Sequence, residues 1–276
     1  MGIQSLLEKS PTGGTPAPES SLDRPLIQKA YEFAKKAHEG QQRLSGDAYL
    51  THLVGVADIL AELHMDSVTI AAGLLHDILE DTKITYDELK AEFGEEIANL
   101  VDGVTKISTR QFQDTTLRQA ESTRKMLVAM AKDVRVILIK LADRTHNMRT
   151  LAFLPPDRRE KMARETLDIY APLAHRLGIA KIKSELEDLC LRYLEPDVYQ
   201  DLAKKIAMKK SEREKVLAEV IQSIEAKLKE AGITAQVQGR SKHFTSIYHK
   251  MMQQNKSFDE IFDLMAIRVL TNTVKE

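Results

Sequence analysis

The run LLHDILEDT at residues 74–82 sets His76, Asp77, Glu80 and Asp81 among Leu74, Leu75, Ile78 and Leu79, aliphatic residues that alone would make a buried helix face. Ionisable groups in an apolar seam are costly without partners, so the run points to a metal, a cationic partner or an active site. On a helix, residues four apart share a face, which sets His76 under Glu80 and Asp77 under Asp81. Adjacent residues differ by about 100°, so His76 and Asp77 meet only at a point between their faces, a condition that a metal ion in a cleft satisfies. Two further residues of ligand type stand on other expected helices. His52 opens one, and Asp143 lies in KLADRTHNMRTL (140–151), where Leu141, Ala142 and Met148 suggest partial burial. A His-Asp dipeptide alone is more often a surface pair or a hydrogen-bonded core histidine; His52 and Asp143 tip the reading towards a metal. Two imidazoles and two carboxylates neutralise a divalent cation and leave positions for water. That set favours Mn²⁺, Fe²⁺ or Mg²⁺ over a closed zinc site, which would use thiolates. Glu80 and Asp81 could then orient or deprotonate an attacking water. Acidic residues near a helix C-terminus oppose the macrodipole, a small argument that chemistry placed them there. Arg43, Lys140, Arg144 and Arg149 are the local cations an anionic substrate needs, each also readable as part of a solvated basic face. Arg43 leads them, because a planar guanidinium can stack on a guanine ring.

Such a constellation needs rigid elements to hold it. The 276 residues are 43% hydrophobic with a net charge of −1, which excludes wholesale disorder and any global field for nucleic acid or anionic membrane. The single cysteine, Cys190, forms no internal disulfide and supports no thiolate metal site, as suits a reducing cytoplasm. Neither an export signal nor a membrane span is legible. Residues 8–22, EKSPTGGTPAPESSL, read as part of a flexible leader spanning 1–22. From Asp23 the apolar residues recur at helical spacing, GQQRLSGDAY (40–49) interrupts as a loop, and a second helix follows His52. A third holds the 74–82 run. Thr85 and Glu88 then offer a capping box, and Phe93-Gly94 ends the helix they open. Further helical patterns cover about 95–107, 115–132, 134–150, 157–177, 180–194 and 197–231. After Gly232 the texture changes: ITAQVQ (233–238) and LMAIRVLT (264–271) read as strands around a helix. The fold class is therefore mainly α: an all-helical domain at 23–195, a helical connector at 196–231, and an incomplete α/β segment at 232–276. Two strands and a helix bury too little apolar area to hold a sheet firmly, so that last segment is expected to be loosely ordered.

Four segments carry a family resemblance: HDILEDT (76–82), GVTKIS (103–108), QAESTRKMLVAMAKDVRVILIKLADRTHNMRTL (119–151) and ETLDIYAPLAHRLGIAKIKSELEDL (165–189). They closely resemble the RelA/SpoT homologue family, the bifunctional enzymes that make and destroy the alarmone (p)ppGpp, and the likeness runs from about residue 25 to the last residue. It implies an HD-type hydrolase domain that removes the 3′-pyrophosphate of ppGpp or pppGpp with Mn²⁺, giving GDP or GTP and pyrophosphate. By that resemblance His52, His76, Asp77 and Asp143 fall on metal-ligand positions and Glu80 and Asp81 on the catalytic acidic pair. Arg43, Ser45, Asn147 and Thr150 fall on nucleotide-contacting positions. Leu44 stands where the family commonly has lysine, a departure that bears on the nucleotide pocket.

The tail, GRSKHFTSIYHKM (239–251) and FDLMAIRVL (262–270), resembles the start of the family's synthetase domain. The likeness implies that Arg240, Lys242, His243, Ser246 and Lys250 meet nucleotide phosphates and that Asp263 holds Mg²⁺. The family's later strands, with its catalytic glutamate and base-stacking tyrosine, do not follow. The expectation is therefore no synthesis and no working Mg²⁺ site in this remnant, with ribosome or regulatory partners reached only through domains that are missing. Another HD phosphohydrolase acting on nucleotides, or a catalytically silent alarmone-binding module, stands as the alternative. The partner implied is the guanine nucleotide alarmone, with no DNA and no membrane, in the cytoplasm.

Overall fold

The computed structural model describes residues 22–108, 124, 128, 132–208, 210–261 and 264–273. The leader to residue 21 and most of the expected 115–132 helix lie outside these residues. The chain divides into two compact units, Met1–Ile182 and Lys183–Glu276. Among the described residues no helix is long and apolar enough to cross a membrane.

The first unit is helical: α1 (Arg24–Ala37), α2 (Leu50–Glu62), α3 (Ser67–Leu75), the single turn α4 (Ile78–Asp81), α5 (Tyr86–Ser108), α6 (Val134–Arg149), α7 (Pro156–Glu165) and α8 (Ala171–Arg176). Local chemistry starts several of them. The side chain of Asp23 accepts from the backbone N–H of Leu26, that of Asp66 from Thr69, and that of Asp133 from Arg135. The expected capping box forms at α5, where the Thr85 N–H donates to Glu88 and the Glu88 N–H to the Thr85 hydroxyl. Gly94 breaks α5 with φ 84° and ψ 168°, a backbone state that favours glycine.

Helix α3 is the centre of this unit. Its residues from Thr69 to Leu75 are all buried, so it is apolar on every side and must be surrounded. Helices α1, α2, α5 and α6 pack on it, and α2 also packs on α6. Leu53, Val56, Leu60, Ile70, Leu74 and Ile78 are fully buried where these helices meet. Gly73 allows a close approach of α2: a Cβ there would fall 2.4 Å from Leu60 Cδ1.

The third helix is not continuous through 74–82 as its periodicity suggests. It stops at Leu75, His76 and Asp77 form a turn, and α4 resumes at Ile78. The backbone N–H groups of Glu80 and Asp81 both donate to the carbonyl of Asp77, at 3.0 and 2.9 Å. Across this turn the Asp77 carboxylate lies beside the His76 ring, with Oδ2 3.1 Å from Nε2. Between α7 and α8, Thr166–Tyr170 is a single π-helical turn, a feature frequent near functional sites.

The second unit contains most of α9 (Ala180–Leu194), then α10 (Pro196–Met208), α11 (Lys210–Glu230), β1 (Ala235–Ser241), α12 (Phe244–Gln254) and β2 (Met265–Thr271). β1 and β2 pair antiparallel from Ala235 opposite Thr271 to Ser241 opposite Met265. Leu191, Leu202, Ile247 and Phe258 form its small core. Val269 and Leu270 on β2 remain 41% and 45% exposed, while α11 packs against β1.

Two outcomes follow. Gly73→Ala, which in an ordinary helix stabilises, should here destabilise by about 1–3 kcal/mol through overpacking against Leu60; urea unfolding measures it, and a stabilised variant contradicts the packing. Amides across Met265–Thr271 should exchange faster than those of α3, because a two-stranded sheet is marginal alone; equal protection in hydrogen exchange contradicts this.

Candidate metal centre

Three packed helices bring four ligand-type side chains together. His52 comes from the first turn of α2, His76 and Asp77 from the turn after α3, and Asp143 from the middle of α6. One ligand atom each of His52, His76 and Asp143 lies within 4.8 Å of the others. Asp77 Oδ2 is 3.1 Å from His76 Nε2 and 3.7 Å from His52 Nε2, while Asp143 Oδ1 is 3.4 Å from His52 Nε2 and 3.8 Å from His76 Nε2. Residues 91 positions apart from first to last thus face one point. His76 is wholly buried, His52 and Asp143 nearly so.

The electrostatics of this point ask for positive charge. Burial works against ionising Asp77 and Asp143, yet His76 on the one and Lys140 on the other outweigh it and hold both carboxyls well below the usual range. Burial likewise disfavours a charged His76, but Asp77 and Asp143 raise it to about 10, so two buried carboxylates would keep a proton there when nothing else supplies charge. A divalent cation is the stronger candidate for that place. The ring is oriented for it: His76 Nδ1 lies 2.8 Å from the Gly73 carbonyl, to which it donates, while Nε2 is buried among the carboxylates with no hydrogen bond of good geometry. An orphaned imidazole nitrogen facing two ionised carboxylates fits a cation-binding role, and its N/O donor set suits a hard or borderline divalent metal. His52 is pushed down by burial and stays neutral, as a ligand must.

A ring of side chains supports the four. Lys140 Nζ donates to Asp143 Oδ2 at 2.8 Å, leaving Oδ1 for the cluster. Asn147, one turn along α6, donates to Asp143 Oδ1 at 2.5 Å and accepts from Arg43 Nη2 at 2.5 Å. The Tyr49 hydroxyl lies 2.7 Å from Asp77 Oδ2 and 2.8 Å from Asp81 Oδ2, so its one proton serves both carboxylates; burial first, and then those charges, keep the phenol protonated. The His38 ring stacks flat on Tyr49, and Gln41 bonds both His38 Nδ1 and the Asp81 carbonyl. The loop 38–49 therefore grips α4 from one side.

Glu80 and Asp81 are exposed at this rim. Arg43 and Asn147 are in contact with each other, whereas Ser45 bonds Asp47 on the exposed loop and the Thr150 hydroxyl bonds the His146 carbonyl. Leu44 is 67% exposed. Two of the four cations differ from their sequence reading. Lys140 and Arg144 are buried, the first paired with Asp143 and the second with Glu165 and stacked 4.0 Å over the Tyr170 ring. They are internal countercharges, since a long side chain on the inner face of α6 cannot reach solvent.

Tyr49, His38, Gln41 and His146 escaped the sequence reading. Spacing held a signal for two: Tyr49 is three residues before His52, and His146 three after Asp143, which on a helix shares the face.

In the second unit, His243 stands at the N-cap position of α12 with its Nδ1 3.2 Å from Asp188 Oδ2, while Asp188 Oδ1 accepts from the N–H and hydroxyl of Thr245. A carboxylate from α9 thus occupies the helix N-terminus. Ser246 is exposed and Lys250 half-buried one turn on; Lys242 precedes the helix, its N–H bonded to the Leu264 carbonyl, and the backbone of Arg240 pairs with Ala266. Asp263 lies outside the described residues.

Residues 30–180, more than half of the chain, match the HD domain family, and residues 239–276 match the region found in RelA/SpoT proteins. The chain is 49% identical over 255 residues to the bifunctional (p)ppGpp synthase/hydrolase SpoT of Escherichia coli, covering 92% of this chain and 36% of that protein. It is 49% identical over 264 residues to a GTP pyrophosphokinase of Streptomyces coelicolor, covering 96% and 31%. A guanosine-3′,5′-bis(diphosphate) 3′-pyrophosphohydrolase of Haemophilus influenzae is also 49% identical, over 244 residues covering 88% and 36%. The chain spans about a third of the length of these curated relatives. A solved metazoan ortholog of SpoT that hydrolyses ppGpp is 25% identical with a TM-score of 0.46, covering 64% of this chain and 97% of that one.

Tyr49→Phe removes the donor between Asp77 and Asp81. In the presence of chelator it should lower stability by about 1.5–3 kcal/mol, as for a hydrogen bond to a charged group; an unchanged urea midpoint contradicts the bridge.

Proposed function

Because the chain belongs to the HD-domain family and carries at residues 239–276 the region found in RelA/SpoT proteins, we propose that it is a Mn²⁺-dependent (p)ppGpp 3′-pyrophosphohydrolase. The observation that carries this reading is the convergence of His52, His76 and Asp143 within 4.8 Å, with Asp77 against both imidazoles. The relatives named as hydrolases of this nucleotide supply the substrate class.

A pyrophosphate ester resists attack because its negative oxygens repel an incoming hydroxide. When bound, a divalent cation supplies a water of lowered pKa and neutralises charge at phosphorus. His52, His76, Asp77 and Asp143 would hold that cation; Lys140 and Asn147 fix the Asp143 carboxylate, and Tyr49 fixes Asp77. Glu80, exposed on the turn α4 three residues after Asp77, is the group to take the proton from the attacking water. Asp81, held by Tyr49 and Gln41, keeps the water in line, and the proton that Glu80 takes passes on to the leaving 3′-oxygen. Arg43 presents a guanidinium to the guanine base or a phosphate, positioned by Asn147. Ser45 on the loop that carries Arg43 and Thr150 at the end of α6 would complete the nucleotide contacts. Water adds across the bond between the 3′-oxygen and phosphorus; the nucleoside keeps the oxygen as a hydroxyl and the pyrophosphate leaves with the new one, giving GDP from ppGpp and GTP from pppGpp.

The test is incubation with ppGpp and Mn²⁺, with and without chelator. Pyrophosphate and GDP are expected from the metal-replete wild type alone. Glu80→Gln should slow release about 10²- to 10⁴-fold while Mn²⁺ still binds. Equal release by Asp77→Ala contradicts the ligand assignment, and release that chelator does not touch contradicts the metal.

A further inference from the structure

We propose that His146 is a positioning residue for the metal, acting through His52; this rests on His52 being a ligand, as read above. His52 Nε2 is the nitrogen that faces Asp143 and Asp77, so a bond to a cation at that point uses Nε2 and leaves the ring proton on Nδ1. That proton needs an acceptor in a buried place. The atom opposite is His146 Nδ1, 2.9 Å away, with the two rings inclined by 64°. Two protons or two lone pairs facing at this distance would repel, so one nitrogen donates and the other accepts. The ligand role of His52 decides which: its Nδ1–H donates, His146 Nδ1 accepts, and His146 carries its own proton on Nε2. A metal-bound histidine held this way keeps its tautomer and orientation and is the better donor.

The fold reserves room for this contact. Gly55 sits one turn after His52 on α2, and a Cβ there would lie 2.2 Å from His146 Cδ2 and 2.3 Å from its Nε2. No side chain fits at position 55 while the ring of His146 stays in place. The Arg43 guanidinium approaches the same acceptor, with Nη1 3.5 Å from His146 Nδ1, while its Nη2 bonds Asn147, which bonds Asp143. Two consecutive residues of α6 therefore steady two ligands from different helices, Asn147 on Asp143 and His146 on His52.

The experiment compares Mn²⁺ affinity, by electron paramagnetic resonance of free Mn²⁺, in the full chain and four variants. His146→Ala should raise the Mn²⁺ dissociation constant about 10- to 100-fold, the usual effect of losing such a partner. His146→Asn, whose amide oxygen can sit near the place of Nδ1, should recover most of that affinity, and Gly55→Ala should lose it by displacing the ring. In ppGpp hydrolysis the His146→Ala loss should appear as a higher Mn²⁺ requirement more than as a lower kcat at saturating Mn²⁺. His146→Ala binding Mn²⁺ like the wild type, beside a His52→Ala that does not, overturns the proposal and leaves the metal centre standing. His52→Ala binding like the wild type overturns the metal centre itself. Should His146→Ala fail to fold, ring-¹⁵N spectra of the Zn²⁺-loaded wild type decide: a proton on His146 Nδ1 overturns the proposal, and one on His146 Nε2 with another on His52 Nδ1 supports it.

Discussion

Two carboxylates, Asp77 and Asp143, face the same buried point and are held ionised by their surroundings, and this fixes much of what the first unit must do. Buried negative charge has to be offset within a few ångströms, because the interior screens it poorly. Lys140 offsets one side of Asp143 and the Tyr49 hydroxyl serves Asp77. What remains is a focus of negative potential lined by two imidazoles, one with its outer nitrogen engaged by the Gly73 carbonyl and its inner one without a good hydrogen bond. Such a pocket selects a small cation by charge and by ligand chemistry together.

Holding it costs the fold a regular helix. α3 is buried on every side and could have run on, since Ile78 and Leu79 continue its apolar pattern. The helix is interrupted at His76–Asp77, where an imidazole and the next carboxylate face one spot, and Glu80 and Asp81 just beyond are exposed. The surrounding helices stabilise the break, with Ile78 buried as an anchor and the Asp77 carbonyl accepting from two N–H groups.

The loop 38–49 ties binding to chemistry. Its Arg43 touches α6 through Asn147, and its Tyr49 and Gln41 hold Asp77 and Asp81. A nucleotide that engages Arg43 thus meets a side chain already linked to the ligands, which places substrate recognition and the reacting groups on one hydrogen-bonded frame. In the second unit the phosphate-type residues around α12 meet a different setting, in which Asp188 already satisfies the helix N-terminus.

The helical class, the capping box at Thr85 and Glu88, the break at Gly94 and the short strands were legible from residue types and spacing alone, because periodicity and capping are local. So were the types of the four ligands, since ionisable groups in apolar runs stand out wherever the chain puts them. Their meeting was not determined there: 91 residues separate His52 from Asp143, and only the packing of α2, α3 and α6 brings their atoms to 3.4 Å. The interruption at His76–Asp77 also lay beyond the sequence, as did the burial of Lys140 and Arg144, because the same basic residue reads alike on an inner or outer helix face. Tyr49, Gln41 and His146 gained their roles by proximity. A local pattern specifies which chemistry a side chain can do, whereas distances between elements, set by the whole core, specify which partners it does it with.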